Sequence, residues 1–129
     1  MTLTPHGPGF SFLDSLEIVE PGKRARGSKW LDPKSAFFAD HFPGNPLMPG
    51  VLLIECGAQA AGALWQQPQA FLASVQTFRV LKSVLPAQTV EIEVALEKEF
   101  GTLAQFGVIL RVDGVPVARG GITMSCSHD

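Results

Sequence analysis

The chain has 129 residues, 46% of them hydrophobic and only 17% charged, which fits one compact domain over residues 1–129 and excludes intrinsic disorder. Ten Lys and Arg residues against twelve Asp and Glu residues give a net charge of −2, which argues against nucleic acid as a partner. Because so few charges leave little polar surface to cover a small domain, we expect a self-association surface or an apolar cavity.

The first third of the chain is predicted to hold two strands and a loop. Apolar residues crowd positions 10–19 before Pro21-Gly22, and residues 24–31 are predicted to return as a second strand. The basic run 23–26 is interpreted as a solvated turn, with a small anionic docking patch as the alternative. Three prolines and two glycines among the sixteen residues of 35–50 predict an ordered loop, which in a small domain often carries function.

Residues 51–65 are predicted to form the main helix because they contain no proline and only one charge, Glu55. Glu55 and Gln59 are four positions apart and therefore share one helix face. The remaining positions are mostly Ala, Gly and Leu, which makes the helix slim and apolar. We expect it to be buried nearly all round.

After Pro68 the hydrophobic pattern changes to period two. Alternation over 90–97 and 106–112 predicts two half-exposed strands, and Asp113-Gly114 is a strong signal for a two-residue hairpin. With 71–85 before them and 115–125 after, these segments make four consecutive antiparallel strands. The prediction is therefore an α+β fold in which a curved antiparallel sheet of about six strands wraps around one central helix.

The sequence does not indicate a secreted, membrane-spanning, zinc-binding or disulfide-rich protein. The first nine residues lack the charged start and apolar run of a signal peptide, so we expect a cytoplasmic protein. The stretch 51–74 is too polar and too broken to span a membrane, so no membrane partner is expected. Cys56 and Cys126 are 70 positions apart without a CxxC motif or a matching His spacing, which indicates neither a zinc site nor a disulfide framework.

An acid, a base and a helix start lie close together in the sequence. A desolvated carboxylate such as Glu55 tends to take up a proton, which makes it a candidate general acid, although a paired buried carboxylate is the simpler alternative. His41 is a candidate general base, with a hydrogen-bonded structural histidine as the alternative. Free N–H groups of the first helical turn, after Gly50, could hold a carbonyl oxygen that gains negative charge. These groups fit elimination of water next to a carbonyl.

The same stretch carries a resemblance to a known family. Residues 41–59 read HFPGNPLMPGVLLIECGAQ, which is similar to the signature HFPGxPxMPGVLxIExxAQ of the FabZ-type 3-hydroxyacyl-(acyl-carrier-protein) dehydratases of the hotdog fold. The similarity extends upstream through 5–6, 10–14 and 20–24 and is looser downstream. It implies dehydration of (3R)-hydroxyacyl thioesters to trans-2-enoyl thioesters, in fatty-acid or related polyketide or polyene biosynthesis. It also implies an enzyme without metal or other cofactor, whose substrate is carried on the phosphopantetheine arm of an acyl carrier protein.

The resemblance assigns roles to four residues. His41 would remove the C2 proton, and Glu55 would act from the other subunit of a homodimer or larger homo-oligomer. Gly50 would supply the oxyanion N–H, and Gln59 would orient the acid. A glutamate at position 55 resembles the FabZ-type branch and not the FabA-type dehydratase-isomerases.

The resemblance also implies where substrate and carrier would bind. The expected substrate-binding residues are Phe42, Pro49, Val51, Gly57 and Trp65. Trp65 is interpreted as a core residue or a lining residue of the acyl tunnel. Arg79 and Lys82 are expected to contact the acidic carrier protein, with plain surface charge as the alternative.

Two departures from the family pattern concern the acyl tunnel. Cys56-Gly57 stands where the family often has Ala-Met, which would remove a bulky wall residue if Gly57 faces the tunnel. The chain has no tyrosine, so a tunnel-gating tyrosine of some relatives is absent.

Two other functions are compatible with such a fold. A hotdog thioesterase would use a carboxylate to activate water, but it leaves the HFPG loop unexplained. A non-catalytic subunit that binds acyl carrier protein in a heteromeric complex is the other alternative, and the intact pair His41 and Glu55 argues against it.

Overall fold

A computed structural model describes residues 11–35, 38, 48–67 and 69–126. Within these residues the chain forms one long helix and six strands. In chain order they are β1 Ser15–Glu20, β2 Arg24–Trp30, α1 Gly50–Trp65, β3 Phe71–Val80, β4 Thr89–Phe100, β5 Leu103–Val112 and β6 Val115–Ser125. The predicted α+β architecture, with six strands and one central helix, is confirmed.

The six strands form a single sheet in the order β1-β2-β4-β5-β6-β3, and every neighbouring pair is antiparallel. The four last strands follow one another in sequence as predicted, but β3 does not pair with β4. Instead β3 pairs with β6 at one edge, and β4 lies between β2 and β5. The eight residues between Val80 and Thr89 are too many for a tight hairpin, so they leave the position of β4 to tertiary packing.

The hairpin predicted between β5 and β6 is confirmed. Asp113 and Gly114 have φ angles of 52° and 78°, and Val112 pairs directly with Val115. Positive φ at both central residues is the geometry of a type I′ turn, whose twist matches that of the flanking strands.

The helix packs on one face of the sheet and contacts β2, β3, β4, β5 and β6. Along β5 every second side chain is buried, and the positions between them are half-buried on the opposite face. The buried series consists of Ala104, Phe106, Val108, Leu110 and Val112. The core therefore lies between α1 and this inner face, and the opposite outer face of the sheet is not covered by the helix.

Gly57 sets how closely α1 approaches the sheet. A Cβ atom at this position would lie 2.7 Å from Cγ1 of Val108 on β5, which is closer than side-chain atoms normally pack. The absence of a side chain at Gly57 therefore lets the helix backbone lie directly on the strand.

Three sequence expectations need correction. The first strand begins at Ser15 and not at residue 10, because residues 11–14 are not part of the strand. The strand β3 ends at Val80 and not at residue 85. The helix is not buried all round in the single chain, since Val51 in its first turn is 70% exposed at the uncovered edge of the core.

The close contact at Gly57 makes a stability prediction. Gly57→Ala should lower the free energy of unfolding by about 1–2 kcal/mol, because overpacking against Val108 outweighs the gain in helix propensity. Gly62→Ala is the matched control: its Cβ would lie 3.8 Å from Cε of Met124, an ordinary contact, so this change should raise stability by up to about 1 kcal/mol. Urea denaturation of both variants measures the difference, and equal stabilisation of the two would contradict the packing argument.

Candidate active site

A buried glutamine links the helix to the segment that precedes β1. Gln59 is only 6% exposed, and its Nε2 donates a hydrogen bond to Oε1 of Glu55 at 3.2 Å. Its Oε1 accepts a hydrogen bond from the backbone N–H of Phe12 at 2.7 Å. The predicted common face of Glu55 and Gln59 is thus confirmed. Because one end of the amide is used by Phe12, the NH₂ end is directed at the carboxylate.

The segment 11–14 that supplies this N–H is anchored to β2. Asp14 accepts a hydrogen bond from the backbone N–H of Trp30 at 2.6 Å, and its other carboxylate oxygen lies 3.3 Å from Nζ of Lys29. The backbone N–H of Asp14 donates to the carbonyl oxygen of Ser28 at 2.7 Å. The side chain of Phe12 is buried in the core. The donor to Gln59 is therefore held in position by the sheet.

The start of α1 offers backbone N–H groups next to this site. Pro49 is the N-cap residue, and no side chain caps the helix. The N–H groups of Leu52 and Leu53 both point to the carbonyl oxygen of Pro49, at 3.0 and 3.3 Å. Within the described part of the chain, the N–H groups of Gly50 and Val51 have no acceptor. Such groups, at the positive end of the helix dipole, can stabilise developing negative charge on an oxygen atom.

The general acid predicted from the sequence is less enclosed than expected. Glu55 is half-buried in the single chain, one turn beyond Gly50, and it is hydrogen-bonded to Gln59. His41 and Phe42 lie outside the described residues, so their assignments stay predictions.

The remaining substrate-binding residues are spread along the helix. Pro49 and Val51 lie at its start, whereas Gly57 faces Val108 on the sheet. Trp65 is the last helical residue, about 22 Å from Gly50 along the axis. Its ring packs edge-on against Phe106 with 6.3 Å between centroids, and its Nε1 donates to Oε2 of Glu99 at 2.9 Å.

The two predicted carrier-contacting residues lie at the edge of the sheet. Arg79 is exposed on β3, the outermost strand on that side, and pairs in register with Arg119 on β6. Lys82 follows β3, and its backbone N–H donates to the carbonyl oxygen of Val117 at 3.2 Å.

Cys56 lies beside Glu55 in the sequence but is fully buried. Burial raises the pKa of its thiol from 9.0 to about 12; Lys29 opposes this shift, and Glu55, when ionised, adds to it. The thiol is therefore protonated at neutral pH and is not a nucleophile. Because the unfolded thiol ionises at its ordinary pKa, the stabilising effect of keeping it neutral is complete below about pH 9 and is lost as the pH rises towards about 12.

Sequence reasoning missed two parts of this site. The N–H of Phe12, 47 positions before Gln59, gives no sequence signal because the contact is a backbone atom from a distant segment. The sequence also gave no sign that Val80 lies beside the start of α1. A Cβ atom on Gly50 would lie 3.4 Å from Cγ2 of Val80, so the end of β3 borders the helix start.

Two classes of feature are not found among residues 11–35, 38, 48–67 and 69–126. No group of three or more His, Cys, Asp or Glu side chains there could hold a metal ion. No helix in this part of the chain has the length and apolar character needed to cross a membrane.

Comparison with known proteins places the chain in a family. Residues 17–120 match the ApeI-like family model, described as ApeI dehydratase. The 3-hydroxyacyl-(acyl-carrier-protein) dehydratase FabZ of Herpetosiphon aurantiacus is 35% identical over 128 residues, covering 95% of this chain and 91% of the relative. The protein of the same name from Bacillus velezensis is 35% identical over 129 residues, covering 95% and 92%.

Solved structures share the fold at lower sequence identity. The dehydratase heterocomplex ApeI:P from Xenorhabdus doucetiae contains a chain with a TM-score of 0.80 and 17% identity, with 95% of this chain and 87% of that chain covered. A hypothetical thioesterase with coenzyme A from Streptococcus pneumoniae has a TM-score of 0.68 and 14% identity, with 88% and 87% covered.

The six-stranded antiparallel sheet with one helix packed on it is the hotdog fold of the solved dehydratase neighbour. With its family-model match and its FabZ relatives, the chain belongs to the ApeI-like family and is related throughout its length to the 3-hydroxyacyl-(acyl-carrier-protein) dehydratases.

The raised pKa and burial of Cys56 predict selective protection from alkylation. Iodoacetamide at mildly alkaline pH should modify the half-buried Cys126 in the folded protein and leave Cys56 intact, because only thiolates react and Cys56 is both neutral and inaccessible. Peptide mass spectrometry reads both sites, and a denatured sample, in which both react, is the control. Modification of Cys56 at the denatured rate would contradict its placement in the core.

The two hydrogen bonds of Gln59 predict a cost for removing the amide. Gln59→Leu should lower the free energy of unfolding by about 1–3 kcal/mol, because the N–H of Phe12 loses its acceptor. Gln67→Leu, on an exposed residue just after the helix, is the control and should change stability by less than about 0.5 kcal/mol. If urea denaturation finds the two variants equally stable, Gln59 does not anchor the segment before β1.

Proposed function

We propose that this protein removes water from (3R)-3-hydroxyacyl thioesters carried on an acyl carrier protein and produces trans-2-enoyl thioesters. The observation that carries the proposal is a helix that holds both functions: its start presents the N–H groups of Gly50 and Val51, which have no acceptor among the described residues, and further along it Gln59 holds the Glu55 carboxylate. Elimination beside a carbonyl requires both an acid and oxyanion donors, and one helix of this chain supplies both kinds of group. Family membership supports the same reaction and a role in fatty-acid or related polyketide or polyene biosynthesis.

The proposed reaction needs one proton acceptor and one proton donor. His41 takes the C2 proton, and the negative charge that develops on the thioester oxygen is held by the N–H of Gly50. Protonated Glu55 then gives its proton to the C3 hydroxyl as the C3–O bond breaks, and the C2–H electron pair becomes the C2–C3 double bond. Water leaves, His41 has gained one proton and Glu55 has lost one. These steps transfer protons and expel water without passing electrons to or from another molecule, so we propose that the enzyme uses no metal or redox cofactor.

Gln59 acts in this proposal as a positioning residue. Its NH₂ group donates to Oε1 of Glu55, which restricts the carboxyl group to one orientation. The Phe12 N–H prevents the amide from turning round and presenting its oxygen to Glu55. The other carboxyl oxygen is the one that can carry the proton to the substrate.

We further propose that each site is shared between two copies of the chain that meet at the β3 edge, with Glu55 of one copy acting on substrate held at His41 and Gly50 of the other. β3 is the edge strand next to β6, with exposed apolar side chains at Phe71, Val75 and Val80. Val51, next to the free N–H groups, is also largely exposed. A partner that pairs with β3 would cover these side chains and the start of α1, and would exclude water from Glu55.

The substrate and its carrier approach the same end of the molecule in this proposal. Phe42, Pro49 and Val51 border the reacting thioester, which arrives on a phosphopantetheine arm. The acyl chain extends along α1 towards Trp65. Arg79 and Lys82, at the sheet edge, contact the acidic surface of the carrier by charge complementarity.

The proposal is tested by removing the acid and the base separately. His41→Ala and Glu55→Gln should each lower kcat by about 10²–10⁴-fold on a 3-hydroxyacyl-carrier substrate, since each removes one proton-transfer group. Glu91→Gln makes the same chemical change on an exposed strand position and should keep full activity. The measurement is product analysis by mass spectrometry of the carrier, with hydration of the enoyl thioester as the reverse assay.

Two results would contradict the proposed reaction. One is full activity in either site variant. The other is release of a free thiol without enoyl product by the wild-type protein, which would indicate a thioesterase.

A further inference from the structure

Asp14 ties the segment 11–14 to three successive residues of β2. Its backbone N–H donates to the carbonyl oxygen of Ser28 at 2.7 Å, and its Oδ2 accepts the backbone N–H of Trp30 at 2.6 Å. Its Oδ1 lies 3.3 Å from Nζ of Lys29. The N–H and both carboxylate oxygens of Asp14 are therefore used to hold this segment on the sheet.

The ion pair of Asp14 lies on the helix side of the sheet. Lys29 belongs to the alternating series of β2 in which Ala25 and Gly27 are buried, and only 20% of its side chain is exposed. Burial is the main cause of the raised pKa of Cys56 on α1, but Lys29 lowers that pKa and Asp14 raises it. Both charges thus lie close enough to the helix to act on it.

Packing presses the same segment against β2. A Cβ atom at Gly27 would lie 2.8 Å from the carbonyl oxygen of Ser15 and 3.0 Å from Cδ2 of Leu13, so no side chain fits there without a shift. Leu13 is only 4% exposed. The position of the segment therefore depends on a missing side chain in β2 as well as on the hydrogen bonds of Asp14.

Phe12 transmits this position to the helix. It lies two residues before Asp14, its side chain is buried, and its N–H donates to Oε1 of Gln59 at 2.7 Å. Planar peptide units of fixed length join the two residues, so a shift at Asp14 moves the N–H of Phe12. Hydrogen bonds weaken steeply when they are bent, so the Gln59 amide and the Glu55 carboxylate that it holds would follow.

We propose that Asp14 is a positioning residue for the dehydration, which acts on Glu55 through Phe12 and Gln59. The inference rests on the proposed function, because it assigns Glu55 the part of the acid. Asp14 touches neither the acid nor the substrate in this arrangement. It fixes the direction of one N–H group, and that N–H fixes which end of the Gln59 amide meets the acid.

The experiment compares kcat and KM of Asp14→Ala and of the wild-type protein on a 3-hydroxyacyl-carrier substrate. Asp14→Ala should lower kcat about tenfold and change KM less than about twofold, because the acid acts on the leaving hydroxyl in the transition state. Asp14→Asn keeps an oxygen that can accept the Trp30 N–H, so its kcat should stay within about threefold of wild type. Glu93→Ala, which breaks the ion pair with Arg111 on the outer face, is the matched control and should leave both constants unchanged.

A double variant separates positioning from general damage. In a protein that already carries Glu55→Gln no acid is left to orient, so adding Asp14→Ala should lower kcat less than about twofold. A merely structural role would disturb the rest of the site as well, and would lower kcat by the same factor in both backgrounds. Urea denaturation of each variant checks that it is folded under the assay conditions.

Gly27→Ala reaches the same segment without removing a charge. The added methyl group should displace Leu13 and lower kcat by at least about threefold, and by less than about twofold in the Glu55→Gln background. This variant decides the question if Asp14→Ala does not fold.

The outcomes separate this inference from the proposed reaction. Full kcat in Asp14→Ala, together with a large loss in Glu55→Gln, overturns the positioning role and leaves the reaction intact. A loss that is equally large with and without Glu55 also overturns the positioning role. A wild-type protein without dehydratase activity, or full activity in Glu55→Gln, contradicts the proposed function and the role of Asp14 with it. A loss of kcat that requires Glu55 supports both.

Discussion

The close packing of α1 on β5 is the constraint on which the other features depend. The helix reaches this distance because Gly57 has no side chain to meet Val108. A bulkier residue would force the helix or Val108 to shift. Two residues further along the same helix, Gln59 accepts the N–H of Phe12 at 2.7 Å. The same packing brings Gly50, at the helix start, next to Val80 at the end of β3.

Gln59 connects this packing to the proposed site through its two hydrogen bonds with Phe12 and Glu55. A buried amide must find partners for both its oxygen and its nitrogen, and here one partner is structural while the other is the proposed acid. The contact with Phe12 ties the chain before β1 to the helix, so the orientation of Glu55 depends on a segment far from it in sequence. Stability and site geometry are linked through one side chain.

The two faces of the sheet carry different residues because successive side chains of a strand point to opposite faces. Every second residue of β5 is buried under α1, and the residues between them lie on the outer face. With only 17% of residues charged, the arrangement of those charges matters more than their number. On the outer face Glu93 pairs with Arg111 at 2.7 Å and lies in register beside Arg26, whereas Arg79 and Arg119 lie opposite each other on β3 and β6.

By itself, the sequence determined the elements whose signals are local. The helix follows from fifteen residues without proline, the last hairpin from Asp113-Gly114, and the shared face of Glu55 and Gln59 from their spacing of four. Only the tertiary structure decided that β3 lies at the edge beside β6 and that the N–H of Phe12 donates to Gln59. These are contacts between segments distant in the chain, and periodicity and turn chemistry describe neighbours only. Which distant surfaces meet is decided by how α1 and the sheet pack together.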